Sequence, residues 1–436
     1  MRTATASALL LALLACGGSS SPPTSPPSGT PPAASPPPPS GSADLCAGLV
    51  QDQVERPVPP LERPPLLVPI TEPTFGTRLI RITDVSASEG PGAIIKPMYS
   101  TTQAWNADES LLILWHRRRG HELYDGRTYA YLRGLPLDSP TDLEQVYWDP
   151  VDPDVLYYPS SSGARPRLLR FRVSSGVTEL VREFTSAPTS CPVSSDALLS
   201  TGSDPQDMSW GSERVIGLRC GTTSFLYSIA EDQVLGVMRG DRSGLAPAVS
   251  YDGMLAYHLG RVLDQSLEAR RSLDVVVPGE HSSLGRGASG PLYAAVDFDG
   301  SPPGTLIVHD MRTGEKRPII SPATGWPYPP SGTHVSGLAR NGPRGWFAVS
   351  VVGQPPQSCL PCGELLLANA DTGTVCRVAH HRSFAGWGQW GYWAEPHVVL
   401  SPSGTRLLFG SDWGDGTTVN AYVVELPAYG ARSGRR

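Results

Sequence analysis

The sequence predicts an all-β protein, and three observations support this prediction. A pattern of two apolar strands joined by a turn of Asp, Ser, Asn or Gly recurs seven times after residue 100. Further strands that end in a Thr-Gly or Ser-Gly turn lie between these hairpins, as at 168–173 and 305–310. The 46 glycines and 45 prolines in 436 residues suit a turn-rich β fold. A repeat of this kind predicts a β-propeller with seven four-stranded blades.

The N-terminal residues predict export rather than structure. Arg2 is followed by an apolar run over 8–15, which is too short to cross a bilayer and ends in LLACG at 13–17. This ending resembles the bacterial lipobox, whose cysteine is lipidated after the preceding peptide is removed. Residues 1–15 are therefore predicted to be a lipoprotein signal peptide, and Cys16 is predicted to anchor the chain in the cell envelope, at the outer membrane. An ordinary signal peptide with an incidental cysteine is the alternative.

The rest of the chain divides by composition. Residues 16–44 contain mostly Ser, Pro, Gly, Thr and Ala, which offer little apolar surface to offset chain entropy, so a disordered linker is predicted. Residues 45–429 are predicted to form the propeller, and 430–436 a flexible tail.

The two ends of the predicted propeller are expected to close the ring. Residues 78–83 form an apolar strand without a hairpin of its own, and 421–426 form the last strand. If both belong to one blade, no open sheet edge remains between the first and last repeats. A β-sandwich, or two small β domains, would not explain seven recurrences.

Charge and cysteine content narrow the functional classes. The formal net charge of −6 and the pI of about 5.9 give no electrostatic reason to expect nucleic acid as a partner. Six cysteines beyond Cys16 suggest disulfides in an exported protein, with fifteen pairings open. The CxxC at 359–362 is expected to be a structural disulfide rather than a redox or zinc motif.

Three histidines occupy equivalent points in three repeats. His281, His334 and His397 begin or just precede the predicted innermost strands, so they are expected to converge around the central channel. Glu395 lies two residues before His397 and would point the same way in an extended segment. Imidazoles joined by a carboxylate predict a site for a divalent metal of the Mn²⁺ or Ca²⁺ type, with His334, Glu395 and His397 as ligands. The alternative is that each histidine bonds the backbone of a neighbouring blade or an ordered water.

The last blade has a family resemblance. Residues 396–404 (PHVVLSPSG) and 407–412 (LLFGSD) resemble the corresponding stretch of oligogalacturonate lyases. A diffuse similarity extends over about 75–427. The resemblance implies a seven-bladed propeller that cleaves short pectic uronides by β-elimination, with a Mn²⁺-type ion held by His and Gln in the channel.

The resemblance also implies roles for individual residues. His334 and His397 match the family's ligand histidines, and His281 falls where its proton-abstracting histidine lies. Glu395 stands where the family has another histidine, and Tyr392 stands near the family's glutamine ligand. Two of the family's ligand positions are thus altered in this chain.

Two functions therefore remain open from the sequence. In the first, a propeller displayed on the envelope binds carbohydrate or another envelope protein without turnover. In the second, the chain is a metal-dependent lyase that acts on acidic oligosaccharides, with His281 as the base and no residue assigned to help the leaving oxygen depart. Trp390, Tyr392 and Trp393 are predicted to bind substrate by stacking on sugar rings, with packing over the channel mouth as the alternative.

Overall fold

Seven antiparallel sheets follow one another around the molecule, as the sequence repeats predict. The computed structural model describes residues 44–85, 89–90, 92–202, 204–276, 281–327, 332–352, 360–383 and 391–433. The predicted signal peptide, the predicted linker apart from its last residue and the last three residues of the predicted tail lie outside the described residues, as do Cys16, Cys359 and Trp390.

The strands are numbered in chain order, and blades 1 to 7 are named in the same order. Two short strands precede blade 1, namely β1 (Ile70–Thr71) and β2 (Arg78–Arg81). Blade 1 contains β3 (Ile95–Lys96), β4 (Leu111–His116), β5 (Gly120–Asp125) and β6 (Tyr131–Gly134). Blade 2 contains β7 (Tyr147–Trp148), β8 (Val155–Ser160), β9 (Arg167–Arg172) and β10 (Val177–Glu183). Blade 3 contains β11 (Val215–Cys220), β12 (Thr223–Ser228) and β13 (Gln233–Arg239). Blade 4 contains β14 (Ala248–Val249), β15 (Leu255–His258), β16 (Arg261–Asp264) and β17 (Ala269–Ser272). Blade 5 contains β18 (Ser282–Arg286), β19 (Pro291–Asp297), β20 (Gly304–Asp310) and β21 (Lys316–Ile320). Blade 6 contains β22 (His334–Ser336), β23 (Trp346–Ser350), β24 (Glu364–Asn369) and β25 (Val375–His380). Blade 7 contains β26 (Val399–Leu400), β27 (Arg406–Ser411) and β28 (Asn420–Glu425).

Each blade is a meander whose first strand lies innermost. Five of the sheets have four strands in simple sequence order. In blade 3 the innermost position is held by single bridges, Met208 to Ile216 and Ser200 to Arg219, beside the three strands β11–β13. The start of every innermost strand therefore reaches the same end of the channel, and the positions equivalent to His334 meet there.

The ring closes through strands from both ends of the chain. In the last sheet β2 pairs with β28, with Leu79 opposite Val424 and Ile80 opposite Val423, and β1 adds a fifth strand outside β2. The predicted closure is thereby confirmed, and it leaves no unpaired edge between the first and last repeats.

The hydrophobic cores lie between neighbouring blades. Leu306 and Val308 of blade 5 pack with Phe347 and Val349 of blade 6 in one buried cluster. The packing is tight enough to require glycine at Gly285, where a Cβ atom would lie 2.5 Å from the Phe347 ring. Because each blade buries one face on the next, the channel geometry is set by this inter-blade packing.

Helices make a small contribution to the described chain. One α-helix, α1 (Pro427–Ser433), follows the last strand and overlaps the beginning of the predicted tail. Short 3-10 helices occupy Ser162–Ala164, Ser195–Ala197, Pro322–Thr324 and Gly391–Ala394. None of the helices in the described ranges has the length and apolar character needed to cross a bilayer.

The structure assigns part of the cysteine pairing that the sequence left open. Cys46 pairs with Cys376 across 330 residues, and Cys191 pairs with Cys220 across 29. Cys362 is also disulfide-bonded. The first disulfide fastens the segment before β1 to the outermost strand of blade 6, where Val50 also bridges to Arg377. The expectation of disulfides in this chain is confirmed for these cysteines.

Candidate functional site

The three predicted histidines meet at one end of the channel. His281 directly precedes β18, His334 opens β22, and His397 lies two residues before β26. The His281 and His334 rings stack with centroids 4.0 Å apart, and the His334 and His397 rings lie 4.3 Å apart at a steep angle. Blades 5, 6 and 7 thus each contribute one imidazole to the same place.

Glu395 completes a set of candidate ligands. Its Oε2 lies 3.8 Å from Nε2 of His334 and 3.7 Å from Nε2 of His397. One donor atom from each of the three residues lies within 4.8 Å of the others. Donors bound to one ion at about 2.1 Å are separated by roughly 3–4 Å, so the set needs little contraction to share an ion.

The hydrogen bonds of His334 leave it ready to act as a ligand. Its Nδ1 donates to the carbonyl oxygen of Gly332 at 2.9 Å, which places the lone pair on Nε2. That Nε2 is buried and has no hydrogen-bond partner among the described residues, and the same is true of His397 Nε2. Burial, the nearby His281 and Lys96 hold the pKa of His334 well below its ordinary range. The imidazole is therefore neutral, as metal ligation requires.

Lys96 is a part of the site that sequence reasoning missed. It is fully buried in β3, and its side-chain nitrogen contacts Nδ1 of His397 and lies 5.1 Å from the centroid of the Tyr392 ring. Burial lowers the pKa of Lys96 to about 7. A lysine at the end of the apolar run Ala93-Ile94-Ile95 is the signal that could have indicated it, because an unpaired buried lysine is rare.

Burial raises the pKa values of carboxyl groups around the site. Burial raises the pKa of Glu395 to about 7 and also raises the pKa of Glu144. Glu144 comes from blade 2 and accepts a hydrogen bond of 2.8 Å from the Tyr392 hydroxyl. Acids with raised pKa values near neutral pH are common in functional sites, because burial that serves no purpose is costly.

A buried tyrosine and aspartate were also absent from the sequence prediction. The Tyr99 ring contacts both His334 and His397, with centroid distances of 5.3 and 5.0 Å. Its hydroxyl donates to Oδ2 of Asp204 at 3.0 Å. Both residues lie in irregular segments between strands, so neither β-periodicity nor a motif marks them.

His281 differs from the other two histidines. Its Nδ1 donates to the carbonyl oxygen of Thr333 in blade 6 at 2.7 Å. One nitrogen therefore bonds the backbone of a neighbouring blade, which is the structural alternative raised from the sequence. In the neutral imidazole the same bond puts the lone pair on Nε2, which is the tautomer that a base needs.

The predicted aromatic residues lie beside the ligand set. Tyr392 and Trp393 belong to the 3-10 helix Gly391–Ala394, and Tyr392 is 42% exposed. Trp393 stacks on Trp115 of blade 1 at 5.2 Å, and the Tyr392 ring lies 4.8 Å from that of His397. The structure therefore brings together all the predicted site residues that it describes.

Comparison with known proteins supports the fold. The sequence matches no family model, and no curated protein sequence is significantly similar to it. A solved oligogalacturonate lyase in complex with manganese aligns over 83% of this chain and 96% of its own, with 16% identity and a TM-score of 0.52. An oligogalacturonate lyase from Vibrio parahaemolyticus aligns over 83% and 97%, with 11% identity and a TM-score of 0.55. At these identities the similarity shows that the chain shares the propeller fold of these lyases.

Proposed function

We propose that this chain is a metal-dependent lyase that cleaves acidic oligosaccharides by β-elimination. The observation that carries the proposal is the donor set of His334, Glu395 and His397, in which two buried Nε2 atoms lack hydrogen-bond partners in the described chain. Its position in the channel of a fold shared with oligogalacturonate lyases, one of them solved with manganese, supports the same function.

The chain's own residues suit this chemistry. A bound divalent ion would supply Lewis acidity towards the substrate carboxylate, which makes the neighbouring carbon-bound proton easier to remove. His281, with its Nδ1 committed to Thr333, presents Nε2 as the base that takes this proton. Lys96 lies against Nδ1 of His397, and its neutral amine can accept a hydrogen bond from the Nδ1–H, which leaves the lone pair of His397 on Nε2 for the ion.

The experiment that tests the metal is elemental analysis of the purified full chain. The wild type is expected to hold about one equivalent of a divalent metal, and His334→Ala/His397→Ala is expected to lose it. The matched control is His121→Ala/His309→Ala, which removes two buried histidines from blades 1 and 5. A well-folded wild type without metal, or equal loss in both double variants, would reject the metal site.

Catalysis needs a separate measurement. The full chain would be incubated with acidic oligosaccharides, and unsaturated products would be followed by ultraviolet absorbance. His281→Ala is expected to abolish product formation while it keeps the metal, because it removes the base and leaves the ligands intact. If His281→Ala keeps wild-type turnover, His281 is not the base.

A second candidate, binding without turnover, is favoured by the aromatic pair. Tyr392 is exposed, and Trp393 is already stacked on Trp115, so a flat surface is ready for a sugar ring. Trp393→Ala is expected to weaken oligosaccharide binding about 2- to 10-fold in calorimetry. Trp210→Ala, which removes a half-buried tryptophan from blade 3, is the control and should bind as the wild type does. Binding that depends on Trp393 without any product would support this second function.

The cell-envelope location is proposed from the sequence alone. We infer that Cys16 carries the lipid and that the membrane is a partner through this anchor, since the residues 13–17 have the lipobox pattern. Mass spectrometry of the mature N-terminus tests this inference. Cleavage before Cys16 with an added acyl mass is expected, and an unmodified or differently cleaved N-terminus would contradict it.

A further inference from the structure

Tyr99 reaches from blade 1 to the two candidate ligand histidines. It lies between β3 and Trp105, and only 7% of it is exposed. Its ring meets the His334 ring edge-on, at 87°, and the His397 ring at 41°. One aromatic ring thus limits the rotation of both imidazoles.

Tyr99 is itself fastened across the channel. Asp204, which lies between the bridging residues Ser200 and Met208 of blade 3 and is 6% exposed, accepts the Tyr99 hydroxyl at 3.0 Å. The same carboxyl accepts hydrogen bonds from Thr101 Oγ1 at 3.3 Å and from the Ser282 backbone N–H, next to His281, at 3.4 Å. The Tyr99 ring cannot swing away without leaving buried polar groups unpaired.

The backbone of His397 shows why such support is needed. Its φ of +42° lies in the left-handed region, which is uncommon for residues other than glycine. A conformation of this kind persists where surrounding contacts over-determine it. The Tyr99 ring on one side of His397, with Tyr392 at 4.8 Å, provides part of that constraint.

We propose that Tyr99 is a positioning residue that, held by Asp204, orients the His334 and His397 imidazoles towards a shared metal ion. The inference rests on the proposed metal site and adds a group that the sequence did not indicate. Ligands must be oriented within about 10–20° to bind an ion well, and loss of outer supporting groups typically weakens metal binding 10- to 100-fold.

The test compares Tyr99→Leu, Tyr99→Phe and Tyr227→Leu in the full chain. Tyr227→Leu is the matched control, because Tyr227 is also buried and its hydroxyl donates to a carboxylate, Asp232, at 2.6 Å. Binding of Co²⁺ would be measured as a Kd and as the visible absorption spectrum of the bound ion, beside the melting temperature. Tyr99→Leu should weaken binding 10- to 100-fold and change the spectrum. Tyr99→Phe keeps the ring and should recover most of the affinity.

Two results would overturn the proposal. The first is a Tyr99→Leu protein with the wild-type Kd and Co²⁺ spectrum, and the second is Tyr227→Leu weakening Co²⁺ binding as much as Tyr99→Leu. If the wild type itself binds no metal, the proposed function fails, and the positioning role is then decided on metal-free protein. In long-range ¹H–¹⁵N NMR spectra, the imidazole signals of His334 and His397 should shift in Tyr99→Leu and stay unchanged in Tyr227→Leu. Unshifted signals in Tyr99→Leu would reject the positioning role.

Discussion

The disulfide between Cys46 and Cys376 should stabilise the propeller more than the one between Cys191 and Cys220. The perturbation is replacement of each pair by alanines. The first disulfide closes a loop of 330 residues and the second a loop of 29. In the chain-entropy relation these loops correspond to about 6 and about 3.6 kcal/mol, because a longer loop removes more freedom from the unfolded chain.

These free energies convert to melting temperatures. At about 2.1 cal/mol/K per residue, the unit Ser42–Arg436 unfolds with an entropy of roughly 0.8 kcal/mol/K. The expected decreases are therefore about 7 °C for Cys46→Ala/Cys376→Ala and about 4 °C for Cys191→Ala/Cys220→Ala. All four cysteines are at most 3% exposed, so the loss of buried sulfur is matched between the two variants.

The assay is thermal unfolding followed by circular dichroism, with a urea titration as an independent measure. Reduction of the wild type should lower the melting temperature by more than either replacement does, because it breaks both of these disulfides and also that of Cys362. A decrease for the Cys191/Cys220 variant that equals or exceeds that of the Cys46/Cys376 variant would refute the reasoning. In that case the unfolded chain near residue 46 retains structure, or the segment before β1 holds blade 6 without the covalent link.

Two further predictions concern buried charges. Arg377 is fully buried, and its Nε donates to Glu364 Oε2 at 2.7 Å. The substitution Arg377→Met should lower the free energy of unfolding, measured by urea titration, by about 3–5 kcal/mol, because Glu364 is left buried without its arginine partner. The exposed pair Arg170–Glu179 is the control, with Arg170→Met costing less than about 1 kcal/mol, and equal losses would contradict the burial argument. Burial raises the pKa of Asp204 to about 8, so the native carboxyl keeps its proton while the unfolded carboxyl loses it near a pKa of about 3.9. The free energy of unfolding should therefore fall as pH rises from about 4 to 8, and Asp204→Asn should flatten this fall in melting curves taken across that range; an unchanged slope would show that Asp204 ionises normally.

The fold could be predicted from the sequence because its signals are local and repeated. Hairpins such as that around Ser401–Gly404 need only neighbouring residues, and seven copies of one pattern define the architecture. Closure was also predictable, since the strand at 78–83 has no hairpin of its own and 421–426 is the last strand of the repeats. Blade 3 departs from the repeat in the structure, because its innermost position is held by isolated bridges at Met208 and Ser200 rather than by a regular strand.

The candidate site was predictable only where it follows the repeat. His281, His334 and His397 occupy equivalent positions in their blades, and the ring symmetry of a propeller turns that equivalence into proximity. Lys96 and Tyr99 reach the same place from blade 1, where the innermost segment is irregular between β3 and Trp105. Asp204 approaches from the irregular segment between the bridges at Ser200 and Met208 in blade 3. Such contacts depend on loop conformation, which hydrophobic periodicity does not encode.

The charges of the site separate the two candidate functions. Glu144 and Glu395 act electrostatically on the buried amine of Lys96, Asp204 accepts the Tyr99 hydroxyl beside the same histidines, and burial raises the pKa of all three acids. When no metal is bound, an acidic sugar that enters the site meets these carboxyl groups. A bound divalent cation would favour the ionised forms of the carboxyl groups and would attract the carboxylate of the sugar. Affinity for an acidic oligosaccharide must therefore depend on the metal if the lyase function is correct. A neutral oligosaccharide held by stacking on Tyr392 and Trp393 has no carboxylate for the cation to attract, so its affinity should survive chelation of the metal.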